Sequence, residues 1–112
     1  MTEPLIVVVD DLRTHVDPRA LHLRDSASAL EWLAGPHGAI DELWLDHDLG
    51  DEDTVRPVVL WLEEQVFAGR APVIGTIYVH TANPVGAAFV LSSRLLGGHY
   101  RVARADLSSF AA

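Results

Sequence analysis

The segment at residues 41–50, which reads DELWLDHDLG, constrains the fold of this chain more than any other. Its first half alternates polar and apolar residues, a pattern typical of a β-strand with one buried face. Its second half brings two carboxylates and a histidine together just before a glycine. A strand that carries such residues at its C-terminal end predicts a site for a cation or a phosphate at that end.

The remaining sequence predicts strands that alternate with helices. Residues 5–9 are wholly apolar, as expected for a central strand of a parallel sheet that is covered on both faces. We expect further strands at residues 20–24, 40–45, 72–79 and 100–105, and helices at residues 27–34, 55–68 and 84–96. This order predicts a single α/β domain over residues 1–112, with a mostly parallel five-stranded sheet.

Capping and breaking residues mark the ends of these elements. Ser26 is the expected N-cap of the first helix and Asn83 that of the last, which should end at Gly97-Gly98. The link at residues 12–19 is short for a parallel crossover. Either its helix is reduced to a turn or the second strand is not parallel to the first, and we expect the reduced crossover. The tail from residue 108 is expected at the surface.

Composition narrows the function classes. The chain has 112 residues, a net charge of -8, no cysteine and no lysine. Bulk nucleic-acid binding is disfavoured, because it rests on neutralising many phosphates, whereas a small anionic ligand or a single RNA end remains compatible. No apolar run reaches eighteen residues and no secretory leader pattern is visible, so we expect no membrane span and a cytoplasmic protein. The oligomeric state is left open.

Titratable residues follow three of the predicted strands. They are Asp10-Asp11, Asp46-His47-Asp48 and His80-Thr81. In an open parallel sheet the ligand binds beyond the carboxyl ends of the strands, so we expect these residues to converge. Two carboxylates about 4 Å apart repel by roughly 4 kcal/mol at an effective dielectric constant near 20. Either one carboxyl stays protonated or a divalent cation bridges them.

The residue types favour a hard cation next to a phosphate. Oxygen ligands from Asp10, Asp11 and Asp46 favour Mg²⁺, with Mn²⁺ as the alternative; a histidine ligand would make iron or zinc competitive, but no zinc-binding spacing is present. Thr81 and Asn83 can donate to phosphate oxygens beside a helix N-terminus.

The six histidines are of two kinds. His47 and His80 lie beside the candidate site, and strand alternation turns His47 away from Asp46. We prefer His80 as the acid or base, since a proton shuttle near neutral pH suits phosphoester chemistry. The other four are expected to have no role in the site: His15, His22, His37 and His99.

The layout resembles two known families. Asp10-Asp11, Asp46 and Thr81-Ala82 resemble the acid pair, central aspartate and Thr-Ala pair of response-regulator receiver domains. Those receivers also carry a lysine, which this chain lacks, and Arg104 is not an equivalent replacement.

A closer resemblance is to the cyclic-phosphate processing receiver family. It is carried by Asp10-Asp11-Leu12-Arg13, by LDHDLG at residues 45–50 and by HTANP at residues 80–84, where threonine replaces the usual serine. The resemblance spans most of the chain. It implies a receiver-like (flavodoxin-like) three-layer sandwich and action on cyclic phosphate ends in RNA repair.

The leading hypothesis is therefore a metal-dependent phosphoesterase that opens the 2′,3′-cyclic phosphate of a nucleotide or RNA end. Asp10, Asp11 and Asp46 would bind the metal. Three groups would hold the phosphate oxygens: Arg13, Thr81 and Asn83. His80 or His47 would protonate the leaving oxygen, and Asp48 would orient a histidine or a water molecule. The alternative is a divergent receiver that acts as a signalling or protein-interaction module without catalysis, and a third option is a degenerate receiver whose acids are relics.

Overall fold

The computed structural model describes residues 3–111 of the chain. Within this range lie five strands: β1 (Ile6–Val9), β2 (Leu21–Leu23), β3 (Ile40–Leu45), β4 (Ile74–Val79) and β5 (Val102–Arg104). Four α-helices accompany them: α1 (Ser26–Ala34), α2 (Arg56–Phe67), α3 (Pro84–Leu91) and α4 (Arg94–His99). A short 3-10 helix, Leu107–Ser109, follows the last strand. None of the helices in the described range is long and apolar enough to cross a membrane.

The strands form one parallel sheet in the order β2-β1-β3-β4-β5. This is the flavodoxin-like order, and it confirms the predicted α/β, receiver-like fold. The last residues of β1, β3 and β4 are level in the sheet, because Val9 pairs with Leu45 and Leu45 pairs with Val79. The residues that follow these strands therefore reach the same edge of the sheet.

The link between β1 and β2 is a reduced crossover, as expected. Residues 10–20, all of which the structure describes, contain no helix. The chain turns at once after β1 because Asp10 Oδ1 accepts the backbone N–H groups of Leu12 and Arg13, at 2.9 and 2.8 Å. Asp10 is thus both a strand-end acid and the residue that shapes the following loop.

The two faces of the sheet are covered differently. All four helices pack on one face, against the main core cluster, which includes Val9, Leu45 and Val79. The other face carries Val8 and Trp44, and the described residues packed there come from strands and irregular segments rather than from α-helices. The third layer is therefore built mainly from the crossover loop and the C-terminal segment.

The C-terminal segment corrects the prediction that the tail from residue 108 lies at the surface. Phe110 is buried in the second cluster, and its backbone forms an antiparallel bridge with His15. Two further backbone hydrogen bonds of 2.8 Å, from Val16 to Ser109 and from Ala111 to Thr14, fix the segment on the loop. The tail covers the sheet face on which none of the described α-helices packs.

Two predicted helix boundaries are wrong because a neighbouring residue caps better. Asp25, not Ser26, is the N-cap of α1, and its Oδ1 accepts the Ser28 N–H at 2.7 Å. The helix predicted at residues 84–96 is two helices, since Ser93 caps α4 by accepting the Leu96 N–H. Consequently Gly97-Gly98 lies inside α4. Short polar side chains compete with helical hydrogen bonds, and this competition breaks the longer helix.

Because His15 is buried, we expect the fold to become less stable as the pH falls. Burial lowers its pKa below the ordinary value near 6.5, and the carboxylates of Glu42 and Asp17 only partly oppose this. Because the folded pKa is the lower one, the unfolded chain binds a proton first as the pH falls. The stability contributed by neutral His15 is present above pH 6.5 and is lost as the pH drops below that value.

We expect the free energy of unfolding, measured by urea denaturation, to fall between pH 7.5 and 5.5 by at most about 1.4 kcal/mol per pH unit for this group. His15→Phe should flatten the slope, and the exposed control His99→Gln should not. An unchanged slope in His15→Phe would show that another group sets the acid sensitivity.

Candidate active site

The strand ends converge on one cleft of about 200 Å³ at the carboxyl edge of the sheet. Ligand atoms of Asp10, Asp11 and Asp46 all lie within 4.8 Å of one another. Seven residues line the cleft: Asp11, Leu12, Arg13, Asp46, Asp48, Thr81 and Ala82. The structure thus brings together all three residues predicted to bind a metal and two of the three predicted to bind phosphate.

Asp10 forms the buried floor of the carboxylate cluster. Its Oδ1 is occupied by the two backbone N–H groups of the crossover loop, and its Oδ2 lies 3.0 Å from His80 Nε2. Burial alone would raise the pKa of Asp10, but the hydrogen bonds from His80 and from the loop backbone outweigh it and hold the pKa below its ordinary value. Asp10 therefore remains a carboxylate inside the protein.

The pKa of Asp46 is shifted in the opposite direction to that of Asp10. Burial raises its pKa, and the charge of Asp10 raises it further; the Thr81 hydroxyl, His80 and Arg13 only partly offset this. The two acids thus differ although they lie side by side, because Asp10 accepts more hydrogen bonds in its charged form. A cation near Asp46 would favour its charged form.

Among the residues that the structure describes, Arg13 is the one cationic side chain that lines the cleft. Its Nη1 lies 3.1 Å from Asp46 Oδ2 and 3.6 Å from Asp10 Oδ2. The loop that carries it is held by Arg24, whose Nη1 donates to the carbonyl oxygens of Asp10 and Arg13 at 3.1 and 2.8 Å. Sequence reasoning missed Arg24, although its position directly after β2 placed it at the same edge of the sheet.

Asp11 approaches the loop that follows β3. Gly50 in this loop has a φ of +82°, and a Cβ atom there would lie 2.8 Å from Asp11 Oδ2. Glycine is therefore required at this position of the LDHDLG segment for two reasons. The backbone has a positive φ, and the Asp11 carboxylate leaves no room for a Cβ atom. It lets Asp11 take a position next to Asp10 and Asp46.

Gly50→Ala is expected to weaken metal binding by displacing the Asp11 carboxylate, and to destabilise the fold by about 1 kcal/mol through its left-handed backbone. Isothermal titration with Mn²⁺ and thermal unfolding measure the two effects. Gly97→Ala is the matched control, because a Cβ at this helical glycine meets nothing within 4 Å. It should stabilise α4 slightly and leave metal affinity unchanged. Equal metal affinity in the two variants would refute the role of Gly50.

His80 does not reach the cleft. Its side chain is fully buried behind Asp10, and its ring stacks on Phe110 with centroids 4.2 Å apart. The structure therefore places it where it can orient Asp10, not where it can protonate a leaving group, and the assignment of His80 as the acid or base is replaced by one as a positioning residue. The ring of His15 packs edge-on against Phe110 and Trp44 in the same cluster.

His47 lies on the helix-covered side of β3, as strand alternation predicts. Its Nδ1 is 3.1 Å from Asp48 Oδ1, and a side chain at Gly86 would overlap its ring. The glycine six residues after His80 thus makes room for His47 under the first turn of α3. His47 touches the cleft only through Asp48.

Asp48 connects His47 to the cleft and to α3. Its side chain is 60% exposed, and its Oδ2 accepts a hydrogen bond from Asn83 Nδ2 at 3.3 Å. The hydrogen bond to His47 lowers its pKa, and Asn83 adds to the effect. Asp48 therefore presents a charged carboxylate to the cleft.

Asn83 and Thr81 have different roles in the structure. Asn83 Oδ1 accepts the N–H groups of Val85 and Gly86, both at 3.1 Å, so its oxygen is used as the helix cap. Thr81 Oγ1 accepts the Asn83 N–H at 3.1 Å and lines the cleft. Of the two, the structure brings Thr81 to the candidate phosphate position, whereas Asn83 acts by holding Asp48 and α3.

The fold and this cleft agree with one comparison to known proteins. A family model described as the cyclic-phosphate processing receiver domain matches residues 5–93, from the start of β1 through α3. Searches of curated proteins and of solved structures found no match. The matched range includes every residue that lines the cleft.

Proposed function

The chain belongs to the cyclic-phosphate processing receiver family, and from this membership together with the cleft we propose that it is a metal-dependent phosphoesterase. Its substrate would be the 2′,3′-cyclic phosphate of a nucleotide or of an RNA end, in RNA repair or processing. One observation carries the proposal: ligand atoms of three carboxylates lie within 4.8 Å of one another, and two of the three, Asp11 and Asp46, line a cleft together with an arginine and a threonine. Such a set can bind a divalent cation and a phosphate side by side.

The three carboxylates fit a hard divalent cation. Asp10, Asp11 and Asp46 offer only oxygen atoms, which Mg²⁺ prefers and Mn²⁺ accepts. When bound, the ion would neutralise phosphate charge and make an attacking water molecule more acidic. The raised pKa of Asp46 supports this, since its causes are burial and repulsion by Asp10, and a cation opposes both.

Phosphate oxygens would be held by Arg13 and Thr81, which line the same cleft. Arg13 is anchored by its loop and has its guanidinium next to the carboxylates, so it can shift one hydrogen bond from Asp46 to a phosphate oxygen. Thr81 is fixed because its oxygen accepts the Asn83 N–H. Arg13→Lys should lose activity despite keeping its charge, because lysine cannot present two parallel donors.

Asp48 is the group placed to handle protons. Its charged carboxylate faces the cleft and can accept a proton from the attacking water as the oxygen–phosphorus bond forms. The P–O bond to one ribose oxygen then breaks, and that oxygen takes a proton from Asp48 or from solvent to give a phosphomonoester. His47 holds Asp48 in place from behind.

The purified chain, incubated with nucleoside 2′,3′-cyclic phosphates and with RNA carrying a cyclic phosphate end, tests the proposal. In Mg²⁺ or Mn²⁺ we expect a phosphomonoester product by ³¹P NMR, and no product with a chelator. Asp48→Asn should turn over at least tenfold more slowly. Absence of turnover by the wild type on every substrate and with both metals would remove the proposal.

The rival receiver function makes a different prediction at Asp46. A phospho-accepting receiver would be labelled at Asp46 by acetyl phosphate or mimicked by beryllofluoride. We expect neither, because Arg13 occupies one oxygen of Asp46 at 3.1 Å and the chain contains no lysine to hold an aspartyl phosphate. Stable labelling that disappears in Asp46→Asn would favour signalling over hydrolysis.

A further inference from the structure

We propose, building on the phosphoesterase function, that the substrate is a free nucleoside 2′,3′-cyclic monophosphate whose nucleoside contacts Leu12, and not the end of a long RNA chain. The phosphoesterase function is compatible with either substrate, the free nucleotide or the RNA end. Two independent features of the cleft separate them: an exposed leucine at its rim and the sign of the charges around it.

Leu12 is an apolar side chain held in solvent. It is 82% exposed although it lines the cleft between Asp11 and Arg13. The backbone of this loop is held by hydrogen bonds. The Leu12 N–H donates to Asp10 Oδ1 at 2.9 Å, and Arg24 donates to the carbonyl oxygens of Asp10 and Arg13. An apolar group fixed in water beside a phosphate site gains free energy when a ligand covers it.

The phosphate position determines what can cover Leu12. Arg13, the neighbouring residue, contacts Asp46 and would contact the phosphate, and Leu12 lines the same cleft beside it. In a cyclic nucleotide the ribose is bonded to both ester oxygens of that phosphate, and the base is the next group along. The sugar and base are therefore the parts of the substrate that come within reach of Leu12.

The charges disfavour a longer chain. Three of the seven residues that line the cleft are carboxylates, and one is an arginine. Asp51 and Glu52, both exposed, follow Gly50 on the loop that touches Asp11. Each additional phosphate of an RNA would approach this acidic rim, where the lining carboxylates outnumber the one lining cation among the described residues. A mononucleotide brings only the phosphate that the site neutralises.

The test compares three substrates: adenosine 2′,3′-cyclic phosphate, a decanucleotide that ends in the same group, and a base-free five-membered cyclic phosphodiester of glycerol. We expect kcat/KM for the mononucleotide to exceed that for the decanucleotide by tenfold or more. Leu12→Ala should raise KM for the mononucleotide about five- to tenfold, from the lost apolar contact, and change that for the base-free compound less than twofold. Leu60→Ala, an exposed leucine on α2, is the control.

Binding is followed separately through the Leu12 methyl NMR signals during titration with the mononucleotide, so that failure of hydrolysis and failure of this inference can be told apart. A methyl shift without turnover would keep the inference and remove the hydrolytic function. A ratio below tenfold, no methyl shift, or an equal loss on the nucleotide and the base-free compound in Leu12→Ala would overturn it.

Discussion

Asp46→Asn is expected to weaken metal binding and hydrolysis strongly while making the metal-free protein more stable. Asp46 is buried, with 4% of the residue exposed, and both burial and the neighbouring Asp10 raise its pKa. A raised pKa means that the folded state disfavours the charged form, despite the contact with Arg13. Asparagine keeps the shape and removes the charge, so we expect the metal-free variant to unfold at a higher Tm than the wild type.

The loss of function should be much larger than the gain in stability. Removing one carboxylate of three leaves a weak cation site, and the transition-state charge loses several kcal/mol of stabilisation, or about a thousandfold in kcat/KM. Thermal unfolding with and without Mg²⁺ gives a second measure, because a ligand that binds only the folded state raises Tm. The wild type should show this increase and Asp46→Asn should not.

Glu64→Gln is the charge-matched control, since Glu64 is an exposed acid on α2. It should leave metal affinity, turnover and Tm unchanged. A metal-free Asp46→Asn protein less stable than the wild type would mean that the contact with Arg13 outweighs burial and repulsion, and the electrostatic account of the cleft would then be wrong.

The convergence of the strand-end residues at one cleft was predictable, because it depends on a regular property of parallel sheets. Asp10, Asp46 and Thr81 follow strands whose carboxyl ends must meet at one edge, so their position along the chain is enough to place them. The orientation of His47 followed from strand alternation in the same way. These inferences needed only the period of the strand and the direction of the chain.

The role of His80 depended on information that no local pattern contains. Alternation along β4 shows that His80 and Thr81 point to opposite sides, but not which neighbour each one meets. Its partners are Asp10, 70 residues away, and Phe110 from the tail. A single phenylalanine in a short tail has no periodicity, so no sequence pattern indicates that it belongs to the core.

Phe110→Ala should therefore destabilise the protein strongly and also weaken metal binding in the cleft. Phe110 is 7% exposed, and truncating a buried phenylalanine costs about 3–5 kcal/mol in the free energy of unfolding. Its ring also packs on His80, which holds Asp10 Oδ2 at 3.0 Å. Loosening a residue that orients a metal ligand typically weakens affinity 10- to 100-fold, so we expect Mn²⁺ affinity to fall by about tenfold.

Phe67→Ala is the matched control, because Phe67 is 84% exposed at the end of α2 and should change neither quantity by a measurable amount. Phe110→Leu keeps most of the volume, remains folded and loses the stacking on His80, so its Mn²⁺ affinity isolates the coupling from the loss of stability. Wild-type affinity in Phe110→Leu, measured by titration calorimetry, would show that the tail only covers the sheet. Reduced affinity would show that the tail, through His80, also orients Asp10 in the carboxylate cluster.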